Sequence, residues 1–394
     1  MTLRPKAAVS FIPYSRQDVS EADIEAVCRV LRSDFLTQGP QVPAFEQAFA
    51  ARQQVAHAVS VSNATAGLHL GCLALGIGAG SRVWTSPNSF LASANCALYC
   101  GAEVDFVDID PATRNMSVQA LSHKLELAAA SGTLPNVVIP VDFSGLPCDL
   151  QEIRALADRH GFRILQDASH ATGASYLGRP TGSQFADATV FSFHAVKIIT
   201  TAEGGIVTTP HDDVAHRLRL LRSHGMVRDA GQLEHTSEGP WYYEQQALGF
   251  NYRLTDMQAA LGLSQLERVD ALHARRQALA ERYDTLLSGL PVILPARRPD
   301  RTSAWHLYAI EIDGSRTART RVEVFQRMRD AGIGVNVHYI PIHTQPYYVR
   351  LGFKRGDFPV SERYYDRALS IPLFPALTEA QQRHVVVTLA KALA

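Results

Sequence analysis

An excess of charge of one sign is what this sequence lacks: 38 Lys and Arg face 38 Asp and Glu across 394 residues, a formal net charge of zero. The basic residues are scattered rather than blocked, which leaves no electrostatic footprint for nucleic acid or an anionic membrane, and neither is an expected partner. Cysteine is scarce as well. Cys28, Cys72, Cys96, Cys100 and Cys148 are odd in number and include no C-x-x-C pair, so they fit neither a disulfide framework nor a zinc ribbon and read as reduced core residues. No long apolar run is present either. The longest uncharged stretch, Val55 to Ser81, is broken by Ser60, Ser62, Asn63, Thr65 and glycines, which would leave polar groups unsatisfied in lipid; it reads as buried core. The opening MTLRPKAAVSFIPYS carries basic residues but lacks the apolar stretch of a secretory signal, so a cytoplasmic location is expected.

What is present is an alternation of short apolar runs with amphipathic ones, without internal repeats, in a chain long enough for two or three domains of roughly 100–200 residues. Ser20 stands as N-cap, Asp23 follows three residues on, and Ile24, Val27, Val30 and Leu31 recur at helical spacing. A first helix with that stripe toward a core is predicted. Residues 104–109, 137–141, 163–166, 189–193 and 205–208 read as strands, several too continuously apolar to keep one face in water. Between the second and third, DLQEIRALADRHG reads as a helix with Asp149 placed to cap it, Ile153, Leu156 and Ala157 inward and Gly161 to stop it. Strand, helix, strand in that order predicts an α/β fold with a mainly parallel sheet. From Thr255 the pattern is helical for more than 30 residues without an internal proline, a length that usually bends or bridges domains. A Pro- and Arg-rich stretch after Pro291 is followed by strand-like 306–312, a helix near 322–331 and strand-like 335–339. The expected organisation is a large domain over residues 1–270 and a smaller C-terminal α+β domain over 271–394, with the boundary inside or after the long helix, near 270–290.

Three stretches carry chemistry. In ADATVFSFHAVKIITTAEGG, Lys197 follows an apolar strand and precedes a Thr-, Glu- and Gly-rich turn. An ammonium there is costly unless paired or deprotonated, and desolvation lowers its pKa toward useful values, so Lys197 is a candidate Schiff-base former rather than a plain surface residue. Thirty residues upstream, in LQDASHATGA, Asp167 ends an apolar strand on the edge where α/β sheets bind ligands. Alone it would be read as a helix cap. Together, Lys197 and Asp167 make the pattern expected where pyridoxal phosphate is bound, a lysine for the aldehyde and a carboxylate for the pyridinium nitrogen. In VSVSNATAGLHLGCLALG, a strand leads into Ser62, Asn63, Ala64 and Thr65 at the start of an apolar helix. Such a junction is either an ordinary Asn-capped helix or a phosphate cradle, with the Thr65 hydroxyl as a further donor. Phe90, in TSPNSFLASAN, is placed either as core or to stack on a flat ring.

These segments, with PYSRQDVSEADI, LTQGP, GFNYRLTDMQAALGLSQL and VHYIPIHTQPYY, make the chain resemble the fold type I pyridoxal phosphate-dependent nucleotide-sugar aminotransferases over nearly its whole length. SFHAVKIITTAEGG, VHYIPIHTQPYY and FKRGDFP are most similar to the branch that serves pseudaminic acid biosynthesis. The resemblance implies a fold type I large domain with a smaller C-terminal domain. It makes Lys197 the lysine that holds the cofactor, Asp167 the partner of the pyridine nitrogen and His170 a neighbour of the phenolic oxygen. Ala64, Thr65 and Ser192 become phosphate ligands, Phe90 the stacking aromatic, and Asn251 a phosphate ligand reaching over from a second subunit of a homodimer. Tyr14, Thr37, His338, Tyr339 and Pro341 fall where the nucleotide sugar is held. The implied substrates are L-glutamate and a UDP-linked 4-keto-6-deoxy-N-acetylhexosamine. Some relatives carry histidine in place of the lysine and lose transamination; here the residue is Lys197.

Rival readings differ in class. The 15 histidines, His338 and His343 among them, include no tight metal-ligand spacing, so no metal is expected. Another nucleotide-sugar aminotransferase would use the same core on a different keto sugar. A non-catalytic cofactor-binding regulator would need a DNA-binding segment or an incomplete site, and neither is seen.

Overall fold

The computed structural model describes residues 11–394; most of the basic opening segment lies outside them. Its centre is a seven-stranded sheet of β1 (His57–Val61), β2 (Arg82–Thr85), β3 (Glu103–Phe106), β4 (Val137–Ile139), β5 (Arg163–Asp167), β6 (Ala188–Ser192) and β7 (Gly205–Thr209), in the order β1-β7-β6-β5-β4-β2-β3. β7 runs antiparallel to both of its neighbours, while the other pairings are parallel. Both faces are covered. Val137 and Ile139 join Leu68, Cys96 and Leu165 in one apolar cluster, while Val138, between them, joins Ile153, Leu156 and Phe162 in another. That two-residue alternation between two buried faces is why the strand reads as uninterrupted apolar sequence. Six strands pointing one way bring Asp167, Ser192, the β1 exit at Asn63 and the β2 exit toward Phe90 to a single edge.

A second sheet of β8 (Val292–Ile293), β9 (Tyr308–Ile312) and β10 (Ala368–Ile371), antiparallel in that order, packs with helices Arg321–Asp330 and Glu379–Leu393. Ile12, from the other end of the chain, is buried in the same cluster, as are Leu279, Ala280 and Tyr283 of the helix Val269–Leu286. The expected long helix is two helices, Asp256–Glu267 and Val269–Leu286, broken at Arg268. Arg268, at φ −101° and ψ −1°, joins the two, and its guanidinium reaches Asp18 and Asp23, each at 2.8 Å.

The first helix, Glu21–Leu31, starts with the predicted Ser20–Asp23 capping box, and of the predicted stripe Val30 is buried and Val27 half-buried, but the rest of the stripe is not. Ile24 and Leu31 are exposed, whereas Asp23 is fully buried because Ser20, Ser264, Gln265 and Arg268 all donate to it. Asp149 makes no cap; it pairs with Arg301 at 2.6 Å instead. Gly161 does end that helix, at φ 79°. The segment 335–339 is not a strand and offers one bridge, Asn336 to Ser370, since the Asn336 side chain accepts the next backbone N–H, that of Val337, at 2.8 Å and so competes with a ladder.

Candidate active site

One cavity of about 810 Å³ opens at the edge where the parallel strands end. Its floor comes from β5 and β6. Asp167, last residue of β5, is buried and accepts from Ser93 Oγ at 2.6 Å, from Ser169 Oγ at 2.6 Å and from the Ser169 N–H at 3.1 Å. Ser93 sits on the helix Ala92–Tyr99, directly after Phe90 and the β2 exit. Lys197 lies in the turn after β6, its N–H donating to the His194 carbonyl at 2.9 Å. Burial pulls the Lys197 ammonium down to about 8, an effect partly offset by the negative charge of Asp167.

The far end of the cavity is a helix start. Asn63, in extended conformation, caps the helix Ala64–Ala74 by accepting the Ala66 N–H at 2.8 Å. The N–H groups of Ala64 and Thr65 open that helix, whose first turn holds no acidic residue, and both residues line the cavity. Unpaired N–H groups and the positive helix end favour an anion there. Ser192 adds a hydroxyl from the end of β6. Gly205 faces this helix start so closely that a Cβ would lie 2.7 Å from the Ala64 nitrogen; the backbones have room for each other only because no side chain intervenes.

The third wall comes from elsewhere in the chain: Tyr14, His306, Asn336, Val337, His338 and Tyr339. Tyr339 Oη lies 3.2 Å from His170 Nε2, and the His170 ring stands 4.5 Å from that of His306. Burial and the neighbouring Lys197 charge hold His170 and His306 well below the usual imidazole range, and His338 at about 3. Each ring is thereby biased toward its neutral form.

Of the residues expected from sequence, Lys197, Asp167, Ala64, Thr65, Phe90, His170, Ser192, Tyr14, His338 and Tyr339 line this cavity. Phe90 is 58% exposed, not core, with its ring 6.3 Å from that of Tyr339. Thr37, Pro341 and Asn251 are not among the lining residues; Thr37 and Asn251 are exposed, and Pro341 is buried beside the cavity wall. Sequence reasoning missed His306, Asn336 and the two serines on Asp167. His306 and Ser93 had no local signal, since they reach the site only through tertiary contact.

The donor set fits pyridoxal phosphate. A carboxylate held by three donors suits a protonated ring nitrogen, a lysine of lowered pKa suits an aldehyde, and the uncapped N–H groups of a helix start suit a phosphate.

Comparison with known proteins gives the family. The chain is 41% identical over 372 residues, 94% of each protein, to the spore coat polysaccharide biosynthesis protein SpsC of Bacillus subtilis. Among solved structures it matches Helicobacter pylori PseC, an aminotransferase involved in the biosynthesis of pseudoaminic acid, with a TM-score of 0.88 and 29% identity over 98% of this chain and 99% of the other. It also matches Spr1654 from Streptococcus pneumoniae in its PMP form, with a TM-score of 0.88 and 29% identity over 97% and 98% of the two chains; Spr1654 is also solved in a PLP form. The DegT/DnrJ/EryC1/StrS aminotransferase profile spans residues 17–390. The chain therefore belongs to the DegT/DnrJ/EryC1/StrS aminotransferase family and is a fold type I, pyridoxal phosphate-dependent aminotransferase that acts on a sugar.

Proposed function

We propose that the chain moves the amino group of L-glutamate onto C4 of a UDP-linked 4-keto-6-deoxy-N-acetylhexosamine. The product in this reading is UDP-4-amino-4,6-dideoxy-N-acetyl-β-L-altrosamine, for pseudaminic acid biosynthesis. The observation that carries the chemistry is the joint presence of Lys197 and Asp167 in one cavity with a helix-start anion cradle. When bound, pyridoxal phosphate supplies an electron sink for the carbon that loses its proton. Lys197 Nζ would hold the cofactor at rest and, freed by the donor amine, would carry the donor's α-proton on to a second carbon rather than back to its source. Asp167 keeps the ring nitrogen protonated, so stabilising charge acts where charge develops. Ala64, Thr65 and Ser192 would anchor the phosphate, Phe90 would stack on the ring, and His170 would sit by the phenolic oxygen. Tyr14, His338 and Tyr339 face the sugar in this reading.

The kinship with PseC supports the pseudaminic branch. The higher identity to SpsC favours a second reading, in which the same chemistry serves another keto sugar of a surface polysaccharide. We also assign a cytoplasmic homodimer with composite sites, in which Asn251, exposed in the single chain, completes the phosphate site of a second copy; Thr37 and Pro341 keep a nucleotide-sugar role through the resemblance alone.

Product analysis tests the proposal: purified protein, pyridoxal phosphate, L-glutamate and a panel of UDP-4-keto-6-deoxy-HexNAc epimers, with C4 configuration read by NMR. Conversion of the L-arabino ketosugar to the 4-amino-L-altro product is expected. Preference for the D-xylo epimer moves the enzyme to the second reading, and amination of no sugar in the panel overturns the assignment.

A further inference from the structure

Three buried histidines share one wall of the cavity, and their ring protons are not equivalent. His338 Nε2 lies 3.4 Å from Asn336 Nδ2, an amide that only donates, so the ring proton is on Nδ1, which donates to Ser370 Oγ at 2.8 Å. In His170 the Nδ1 atom is enclosed without any partner. A proton there would be a buried donor with no acceptor, so the neutral ring carries it on Nε2 and donates to Tyr339 Oη at 3.2 Å. His306 follows the same rule with a different outcome. Its Nδ1 is also enclosed and unpartnered, which puts the proton on Nε2, the nitrogen left to face the cavity, and no acceptor in the described chain meets it. Of the three imidazoles, His306 alone brings an uncommitted N–H to the cavity.

The His306 ring is held in place. Its backbone N–H donates to the Ser144 carbonyl at 2.9 Å, its carbonyl accepts from the buried Arg276 guanidinium at 3.4 Å, and its ring lies 4.5 Å from that of His170, tilted by 39°. The cavity meanwhile poses an electrostatic problem. No arginine lies among the described residues that line it, Asp167 is committed to its serines, and the Lys197 amine is needed at the reacting carbon. His194, the remaining imidazole of the lining, is half exposed and lies 3.9 Å from Glu203, a carboxylate that repels an incoming anion. An α-amino acid nonetheless has to place a carboxylate beside the carbon that loses its proton. We propose that His306 is the specificity residue for the amino donor: its Nε2–H receives a donor carboxylate. This rests on the reading that the donor is an α-amino acid such as L-glutamate.

Two variants test it. His306→Phe keeps a ring against His170 and removes the donor; His306→Gln keeps an N–H of similar reach. The donor half-reaction is followed by loss of the cofactor's visible absorbance with L-glutamate, and the sugar half-reaction by its return in the amine-form enzyme. Binding of succinate, a dicarboxylate that cannot react, is followed by calorimetry. Expected for His306→Phe is a weakening of about 10-fold or more for both L-glutamate and succinate, the loss of one charge-assisted hydrogen bond, with the sugar KM changed by less than about twofold and recovery in His306→Gln. Equal losses for donor and sugar, or unchanged L-glutamate and succinate affinity, would overturn the proposal. Should the wild type reject L-glutamate but accept another amino acid, the glutamate assignment fails and the same comparison, run with that acid, decides His306. Acceptance only of amines lacking a carboxylate overturns the proposal itself.

Discussion

Ser93 Oγ donates to Asp167 Oδ2 across 2.6 Å although the two residues are 74 positions apart, and Ser89 Oγ lies 2.7 Å behind Ser93. The helix that begins after Phe90 thereby fixes one oxygen of Asp167 while Ser169 fixes the other. A carboxylate so held presents a set geometry to the ring nitrogen, and a hydrogen bond to a charged group contributes about 1.5–3 kcal/mol. Ser93→Ala is therefore expected to weaken pyridoxal phosphate binding by about 10-fold or more, with little change in the far-UV circular dichroism of the apoprotein. A cofactor titration followed by fluorescence checks it; unchanged affinity would show that Ser169 alone suffices.

Lys197 makes a prediction with a sign. Burial lowers its folded pKa to about 8 from the usual 10.5, so between these values the unfolded chain binds more protons than the folded one. Stability from this group is then least below pH 8 and rises as pH climbs from 8 to 10.5. Lys197→Met removes the buried charge. The cofactor-free variant is expected to melt several degrees above cofactor-free wild type near pH 7, about one unit below the folded pKa, and the difference should shrink through the window above 8. Calorimetric scans at a series of pH values measure this, and a difference that widens with pH would contradict it.

The parts of the site legible in sequence were those where a strand end, a turn and a reactive residue are consecutive: Asn63 to Thr65, Asp167 to His170, Ser192 to Lys197. Apolar strands stop there, so period and breaker signals coincide with chemistry. What stayed hidden arrives by long-range packing. Ser93 reads as a small residue in a helix, and His306 as one position in an apolar strand; nothing in either neighbourhood announces Asp167 or His170. The strand expected at 335–339 failed because alternation there is real, with Val335, Val337 and Tyr339 in step, yet Asn336 turns its side chain onto the adjacent backbone. The stripe expected on the first helix held at Val30 but not at Ile24 and Leu31, since the buried face also takes in Asp23, whose carboxylate is bonded by Ser20, Ser264, Gln265 and Arg268.

Gly205 tests the anion cradle without altering any of its donors. A methyl group there would sit 2.7 Å from the Ala64 nitrogen and 2.8 Å from the Asn63 carbonyl carbon, both backbone atoms that cannot rotate away. Gly205→Ala should push the helix start off β7, with a stability loss of about 1–3 kcal/mol and a larger proportional loss of affinity for pyridoxal phosphate than for pyridoxal, which lacks the phosphate. Urea unfolding and parallel titrations with the two forms give the comparison. Equal losses for both would place the damage in general stability instead of the cradle.

The last prediction concerns how the C-terminal sheet is held to the central one. Arg114, from the loop after β3, points its Nε at Glu311 Oε1 of β9 across 3.0 Å, with both side chains at 10% exposure or less. The guanidinium also lies 5.9 Å from the ring centroid of Tyr364, on the helix Pro359–Arg367 that leads into β10. Two charges taken out of water depend on each other more than they stabilise the fold, because desolvation opposes the attraction. Glu311→Met leaves the guanidinium uncompensated and should cost about 3–5 kcal/mol, while Arg114→Met combined with Glu311→Met should recover most of that. Because Arg114 and Glu311 join the two sheets whose segments wall the cavity, the single variant should also raise the KM for the sugar, and the double variant should bring it back toward wild type. Urea unfolding with steady-state kinetics on the same three proteins decides it: a double variant no more stable than the single one would mean that the pair contributes net attraction, and an unmoved KM would mean that the wall formed by His338 and Tyr339 is held without it.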